Sequence, residues 1–527
     1  MSKKFMALFF LILSFDAVAA KSLIYCMEGS PAGFNPQLLT DSVSLNSSSQ
    51  AIFNRLVEFK KGSTETLPGL ALSWTVSKDR KTYIFKLRKD VAFQSNEFFK
   101  PTRSFNADDV VYTFKSQMDS KHPLAIPAAN YEYFKAMELD QIITDVKKID
   151  EYTVQFDLKK PEAPFIANLA MDFASILSEE YAQALVKSGK GLKTLDTNPI
   201  GTGPFAFKSY QKDSTIRYTA FDKYYKGKPQ IDLLVFVIVT DSTVRLQKMK
   251  TGECHVMSEP QPQDIEQIQK ISNLKLISTE GLNIGYLAFN TQKKPFDNLK
   301  VREALTIAMN KKSYIDAIYK GQGVVAKNPI PPTMWSYNKS IKEDEYDVEK
   351  AKKLLKEAGY PNGFETDLWT LPVSRPYIPN GKKLGELIQA DLAKINVKIK
   401  LVTFDWPTYL EKTKKGTHSF VEFGWTGDNG DPDNFLNVLL GCSAIEAGSN
   451  YARWCNKEFN NLIQKAKEEP TQAKRIPLYE KAQVIVKKEK PWVNIAHSRL
   501  NKVISDKVIG YTIDPFGHEQ FESVDIK

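Results

Sequence analysis

Along Lys81-Thr82-Tyr83-Ile84-Phe85-Lys86-Leu87-Arg88 polar positions alternate with apolar ones, the period of a strand that buries one face and wets the other. Tyr152 to Leu158 predicts a second short strand, and the continuous apolar run Leu233 to Val239 a third. Between them the period lengthens. Asn106-Ala107-Asp108-Asp109 opens into Val110-Val111-Tyr112-Thr113-Phe114, so Asn106 can cap a helix whose first turn is acidic. Helical signals strengthen in the second half, over Lys300 to Ala308 and again from Asp347 to Gly359. The latter is amphipathic, with acids early, lysines late and a glycine at its end. Strands interleaved with helices predict a mixed α/β protein. Pro/Gly-rich breaks at Asn198 to Pro204 and at Asn328 to Pro332 mark candidate lobe boundaries.

The first twenty residues follow another logic. Lys3 and Lys4 precede an apolar stretch from Phe5 to Phe15, and Ala17-Val18-Ala19-Ala20 follows, the order of a secretory signal peptide over residues 1–20. The apolar stretch is shorter than the roughly 20 residues that span a bilayer, and charges interrupt every later apolar run. A lipid anchor would need a cysteine directly after the cleavage point, where Lys21 and Ser22 stand. The expectation is a free, soluble protein in an extracytoplasmic space. At 527 residues the chain exceeds one core of ordinary size, so two or three lobes are expected, and 42% hydrophobic residues supply their interiors. The net charge of +10 is spread over lysines such as Lys352, Lys353, Lys356, Lys487 and Lys488, interspersed with Glu and Asp. That pattern reads as a solvated surface and not as a nucleic-acid stripe.

Four cysteines, Cys26, Cys254, Cys442 and Cys455, suit two disulfides in an exported protein, with three connectivities open. The short interval from Cys442 to Cys455, around the polar segment Ser443 to Trp454, suits a local staple; Cys26 would then pair with Cys254. None of the intervals has the CxxC-like spacing of a zinc site. The sequence holds no phosphate-binding glycine loop, no HExxH and no GxSxG, and His122, His255, His418, His497 and His518 lie far apart, so neither an enzyme nor a cofactor is called for. Trp425-Thr426-Gly427-Asp428-Asn429-Gly430-Asp431-Pro432-Asp433-Asn434 packs acids into a turn-rich loop. A calcium loop starting at Asp428 would need Gly and Glu where Asp433 and Leu439 stand, which excludes an EF-hand. Such a loop can place one carboxylate beside an indole at a pocket wall.

Other segments decide the family resemblance. Glu28-Gly29-Ser30-Pro31 with Phe34-Asn35-Pro36-Gln37, Trp74 to Asp79 leading into Thr82 to Arg88, and Pro199-Ile200-Gly201-Thr202-Gly203-Pro204-Phe205 occur in that order. Lys300-Val301-Arg302-Glu303-Ala304-Leu305, Ile330-Pro331-Pro332-Thr333-Met334-Trp335 and the Asp428 loop continue the series. With these the chain resembles, over essentially its whole mature length, the periplasmic dipeptide-, oligopeptide- and nickel-binding proteins that feed ATP-driven importers, and most of all their dipeptide-binding branch. The resemblance implies an α/β clamp of two lobes and three domains. Domain I is then discontinuous, over residues 21–53, 204–280 and 500–527, and encloses domain II at 54–203 and domain III at 281–499. It also implies the Cys26–Cys254 and Cys442–Cys455 pairing.

By the same resemblance, Arg375-Pro376-Tyr377 matches the family's carboxylate-binding motif and Trp425-Thr426-Gly427-Asp428 its amino-terminus motif, with Thr40 at the contact from domain I. Physical chemistry makes these roles sensible. A guanidinium presents a planar fork of donors to a peptide's C-terminal carboxylate, and Asp428 supplies an anion for its ammonium. The implied protein is a monomer that captures short peptides by their termini and delivers them to an inner-membrane permease, without nucleic acid, metal or catalysis. Haem or glutathione is the alternative ligand. The stretch Asp41-Ser42-Val43-Ser44-Leu45 departs from the small, threonine- and glycine-containing stretch of dipeptide binders.

Overall fold

A computed structural model describes residues 20–447 and 449–527, so the expected leader lies, apart from Ala20, outside the described residues. Local signals form the elements they encode. The Asn106 side chain accepts the Asp108 backbone N–H at 2.9 Å and the Asp109 carboxylate accepts that of Asn106 at 3.0 Å, which starts the helix Ala107–Met118. Asp347 caps Val348–Glu357 by accepting the Lys350 backbone N–H at 2.9 Å, and Gly359 leaves it with a φ of 92°, which a side chain would resist. The expected strands occur as Thr82–Leu87, Thr153–Leu158 and Leu233–Ile238.

Two sheets organise the chain. The smaller is antiparallel, in the order Ala71–Val76, Thr82–Leu87, Thr153–Leu158, Ile143–Asp150. The larger has twelve strands, with the 14-residue strand Trp492–Ser505 at its centre. The first part of that strand pairs with Asn283–Phe289 and Gly323–Val325; the second pairs with Leu274–Glu280 and Val256–Met257. On one side the sheet runs out through Phe420–Thr426, Phe364–Trp369 and Val397–Val402. On the other it continues through Ser22–Met27, Leu233–Ile238, Thr215–Ala220 and Phe205–Gln211. One continuous strand thus joins two halves of a sheet, each carrying its own helices.

Cys26 is bonded to Cys254 and Cys442 to Cys455. The first bond ties the strand Ser22–Met27 to the segment following the helix Ser242–Thr251; the second closes the loop after the helix Asp433–Leu440. The Asn328 to Pro332 break, a candidate lobe boundary by sequence, is largely buried. Asn328 and Ile330 are fully buried, and the Asn328 amide donates to the Asn338 carbonyl at 2.9 Å, so the segment is a packed internal turn. Among the described residues, no helix is long and apolar enough to cross a membrane, and no cluster of three or more His, Cys, Asp or Glu could hold a metal ion.

Candidate functional site

A cavity of about 140 Å³ opens where the two halves face each other. Its best-defined wall is built on missing side chains. Gly285 and Gly424 are paired across neighbouring strands and so share a face of the sheet. A Cβ on Gly424 would come within 2.1 Å of the Tyr377 ring, and one on Gly285 within 2.2 Å of the Tyr377 carbonyl. The bare patch therefore receives the turn Arg375-Pro376-Tyr377-Ile378, closed by reciprocal backbone bonds of 3.2 and 3.1 Å between Arg375 and Ile378. Pro376 occupies the second turn position, where its fixed φ is preorganised. The turn is pinned from behind by the Tyr319 hydroxyl, which donates to the Tyr377 carbonyl at 2.6 Å.

The turn delivers Arg375 to the cavity. Its guanidinium carbon lies over the Trp406 ring, 5.3 Å from the ring centre, in a cation–π contact. Glu28 reaches it from the other half at 3.9 Å. Glu28 is held below the usual carboxylate range: burial works against ionisation, but Lys502 and Arg375 outweigh it. Glu259, also lining the cavity, is pushed up by burial despite Lys502, 3.6 Å away. Arg375 thus sits over an acidic base, with a neutralised partner in reach before any ligand arrives.

Asp428 enters from the loop after the strand Phe420–Thr426. Its backbone N–H and the Trp425 indole N–H both donate to Asn434 Oδ1, at 2.9 and 3.0 Å, and Asn434 Nδ2 donates to Asp428 Oδ2 at 3.1 Å. The Tyr133 hydroxyl stands 3.1 Å from Asp428 Oδ1 and 3.4 Å from the Thr40 carbonyl. With one proton to give, it serves the carboxylate. Further along the loop, Asp431 accepts a bidentate pair from Arg475 at 2.7 and 2.8 Å, which anchors the loop to the helix Gln472–Glu489. Burial pushes the Asp428 carboxyl up to about 7, against the Asn434 bond, and nearby Asp172 adds to the rise. His518, also on the cavity wall, is flanked by Asp172 at 3.3 Å and Asp514 at 3.4 Å; burial opposes its charge, but these acids hold it protonated well above its ordinary range.

Of the residues singled out in the sequence, Thr40, Arg375, Pro376, Tyr377, Trp425, Thr426 and Asp428 line this one cavity. Gly427 does not. A Cβ there would meet the Phe435 ring at 2.6 Å, so its role is to let the loop cross the helix Asp433–Leu440 closely. The sequence reading missed Glu28, Tyr133, Glu259, Trp406 and His518, all on the wall, and Asn434 behind it. Glu28 lies in a segment that carried the family resemblance, and Asn434 closes the acidic loop, so both were within reach. Tyr133 and His518 become neighbours of Asp428 only through the fold.

Known proteins share this sequence and fold. The model of the bacterial extracellular solute-binding proteins, family 5 middle region, matches residues 65–447. The chain is 53% identical over 512 residues to the dipeptide-binding protein of Escherichia coli strain K12, covering 97% of this chain and 96% of that one. It is 48% identical to heme-binding protein A of Haemophilus influenzae, covering 96% and 92%. The crystal structure of a dipeptide binding protein from Pseudoalteromonas sp. SM9913 in complex with Met-Leu superposes with a TM-score of 0.92 at 38% identity, covering 96% and 100%.

Proposed function

The chain belongs to the bacterial extracellular solute-binding proteins of family 5, and from that premise we propose that it captures short peptides, dipeptides above all, for an ATP-driven importer. The observation that carries this reading is one cavity with a carboxylate, Asp428, on one wall and a guanidinium, Arg375, on another. Opposite charges at two stations suit a zwitterion held by its ammonium and its carboxylate. A cavity of about 140 Å³ supports a short ligand.

The proposed clamp has three domains, with residues 21–53, 204–280 and 500–527 forming domain I, 54–203 domain II and 281–499 domain III. Thr40 and Glu28 then face the ligand from domain I, and Arg375 and Asp428 from domain III. A peptide that neutralises Arg375 and Asp428 while touching domain I favours the closed arrangement, so the permease meets a different surface on loaded protein than on empty protein. The ligand leaves chemically unchanged. In this reading the protein works as a periplasmic monomer, released from its signal peptide and without a lipid anchor. Haem, which the Haemophilus influenzae relative is named for binding, and glutathione are the competing ligands.

Thermal unfolding of the ligand-stripped protein against dipeptides, tri- and pentapeptides, an N-acetylated dipeptide, glutathione and haem tests the proposal. A ligand that binds only the native state stabilises it by RT ln(1 + [L]/Kd), about 4 kcal/mol at a thousandfold excess over Kd. Stabilisation by free dipeptides, lost on acetylation, is expected. A response confined to haem or glutathione replaces the ligand and keeps the fold.

Affinity should also depend on pH. The unliganded Asp428 carboxyl titrates near 7, and a ligand ammonium beside it lowers that value. Binding is then fully favoured above pH 7 and weakens, by up to about tenfold per pH unit, as pH falls below it. Above about pH 8 the ligand loses its own ammonium charge. Calorimetric titration from pH 5.5 to 8.5 should give a maximum between pH 7 and 8; a flat profile would remove the charge pair from the site.

A further inference from the structure

We propose that Asn434 is the positioning residue of the amino-terminus station, setting the Trp425 indole and the Asp428 carboxylate in one fixed relation to the cavity. The inference rests on the peptide-binding reading and concerns a residue behind the wall. Asn434 is the second residue of the helix Asp433–Leu440 and is fully buried. Its side chain makes three hydrogen bonds, one to the end of the strand Phe420–Thr426 and two to the loop: Oδ1 accepts from Trp425 and from the Asp428 backbone, and Nδ2 donates to Asp428 Oδ2. The chemistry fixes the orientation of the amide. Flipping it would set an NH2 group against two N–H donors and an oxygen against a carboxylate.

Several groups nearby could hold the loop, but they act elsewhere. Arg475 grips Asp431, and Asn429 bonds Asn168 at 2.6 Å, both beyond Asp428 in the chain. Tyr133 touches the opposite carboxylate oxygen, Oδ1. Only the Asn434 amide, among the described residues bonded to this station, connects the ring, the backbone and the carboxylate at once. With Oδ2 engaged by Asn434, Oδ1 is the oxygen turned toward Tyr133 and the Thr40 side of the cavity. The same donated hydrogen favours the ionised carboxylate, in opposition to burial and to Asp172.

Asn434→Asp separates this role from a merely structural one. Aspartate keeps both acceptor bonds, loses the donor and adds a like charge, so Asp428 should titrate at least about one pH unit higher while the loop keeps its path. The other charged or titratable groups facing Asp428, namely Tyr133, Asp172 and His518, are untouched. Dipeptide affinity is measured by calorimetry between pH 5.5 and 7.5 for both proteins. Wild-type affinity should flatten near pH 7, whereas that of N434D should be roughly five- to tenfold weaker at pH 7 and still climbing at pH 7.5. Should N434D not fold, a displacement in the same direction but smaller is expected of Asn434→Ala, which removes the donor without adding a charge. A variant with uniformly weaker binding and an unmoved acid limb overturns the positioning role alone. A wild-type protein with no acid limb, or an Asp428→Ala variant that binds normally, overturns the peptide-site reading beneath it.

Discussion

Asp428→Ala weakens binding of a free dipeptide by roughly two to four decades, because removing one member of a buried charge pair costs about 3–5 kcal/mol and strands the other member. The ligand's ammonium would enter a cavity where Tyr133, Thr40 and Trp425 offer no counter-charge. The unliganded variant should nonetheless melt at or slightly above the wild-type temperature. Burial already disfavours the Asp428 charge, so deleting it removes a cost from the empty protein. Arg375→Ala loses binding to a similar extent but behaves differently when empty. Arg375 helps hold Glu28 ionised and lies over Trp406, so its removal leaves Glu28 and Glu259 facing each other across Lys502 alone. The empty Arg375 variant should melt below wild type. Isothermal titration with matched unfolding scans reads both effects; an Asp428→Ala protein that binds within a few-fold of wild type refutes the assignment.

Lys467→Met is expected to be the most destabilising single change outside the cavity. Lys467 is fully buried among Glu138 at 2.7 Å, Glu162 at 3.6 Å and Asp433 at 3.9 Å. Burial pushes Glu162 up to about 8 and Asp433 up to about 6, both against Lys467; Glu138 is held down to about 2, where Lys467 outweighs burial. Without the cation, three carboxyls must be neutral or remain charged in an apolar interior. The loss should be about 3–5 kcal/mol at pH 7, or roughly 6–20 °C at the 2–4 °C per kcal/mol of lobe-sized domains.

The pH dependence of that loss has a definite sign. The depressed value of Glu138 contributes stability above its unfolded value, which fades as pH falls toward 2. The raised value of Glu162 acts in reverse: its contribution is full below about 4.5 and is lost as pH rises toward 8. In the methionine variant all three carboxyls behave like Glu162. The gap between variant and wild type should therefore narrow from pH 7 to pH 4.5 in unfolding scans. A constant gap would mean that lost packing, and not charge, is responsible.

What the sequence made legible was local or carried by resemblance. The Asn106 and Asp347 caps depend on side chains three or fewer residues from the backbone they serve, and such signals survive in any fold. Arg375-Pro376-Tyr377 was legible only through the family resemblance, whereas the Asp428 loop also stood out by itself as an acidic, turn-rich segment beside Trp425. The slot that seats the first of them was not, since Gly285 and Gly424 acquire meaning only when two strands pair. Tyr133 is 295 positions from the carboxylate it serves, and no periodicity spans that distance. The burial of the break at Asn328 to Pro332 was hidden for a related reason: Pro announces a turn but not whether other residues bury it.

The long strand Trp492–Ser505 bears on the order in which this molecule can be made. Ser498 pairs by backbone and side chain with Asn283, 215 positions earlier, and the strand fills the middle of the large sheet rather than an edge. Until a growing chain has emerged to about residue 500, the strand Asn283–Phe289 lacks its neighbour on one side and Val256–Met257 on another, whatever helices have formed around them. Contacts so distant in sequence close slowly and late. Synthesis can thus run nearly to the end before the large sheet closes, and a polypeptide cut short before Trp492 should remain open, soluble only with help, and ready for proteolysis.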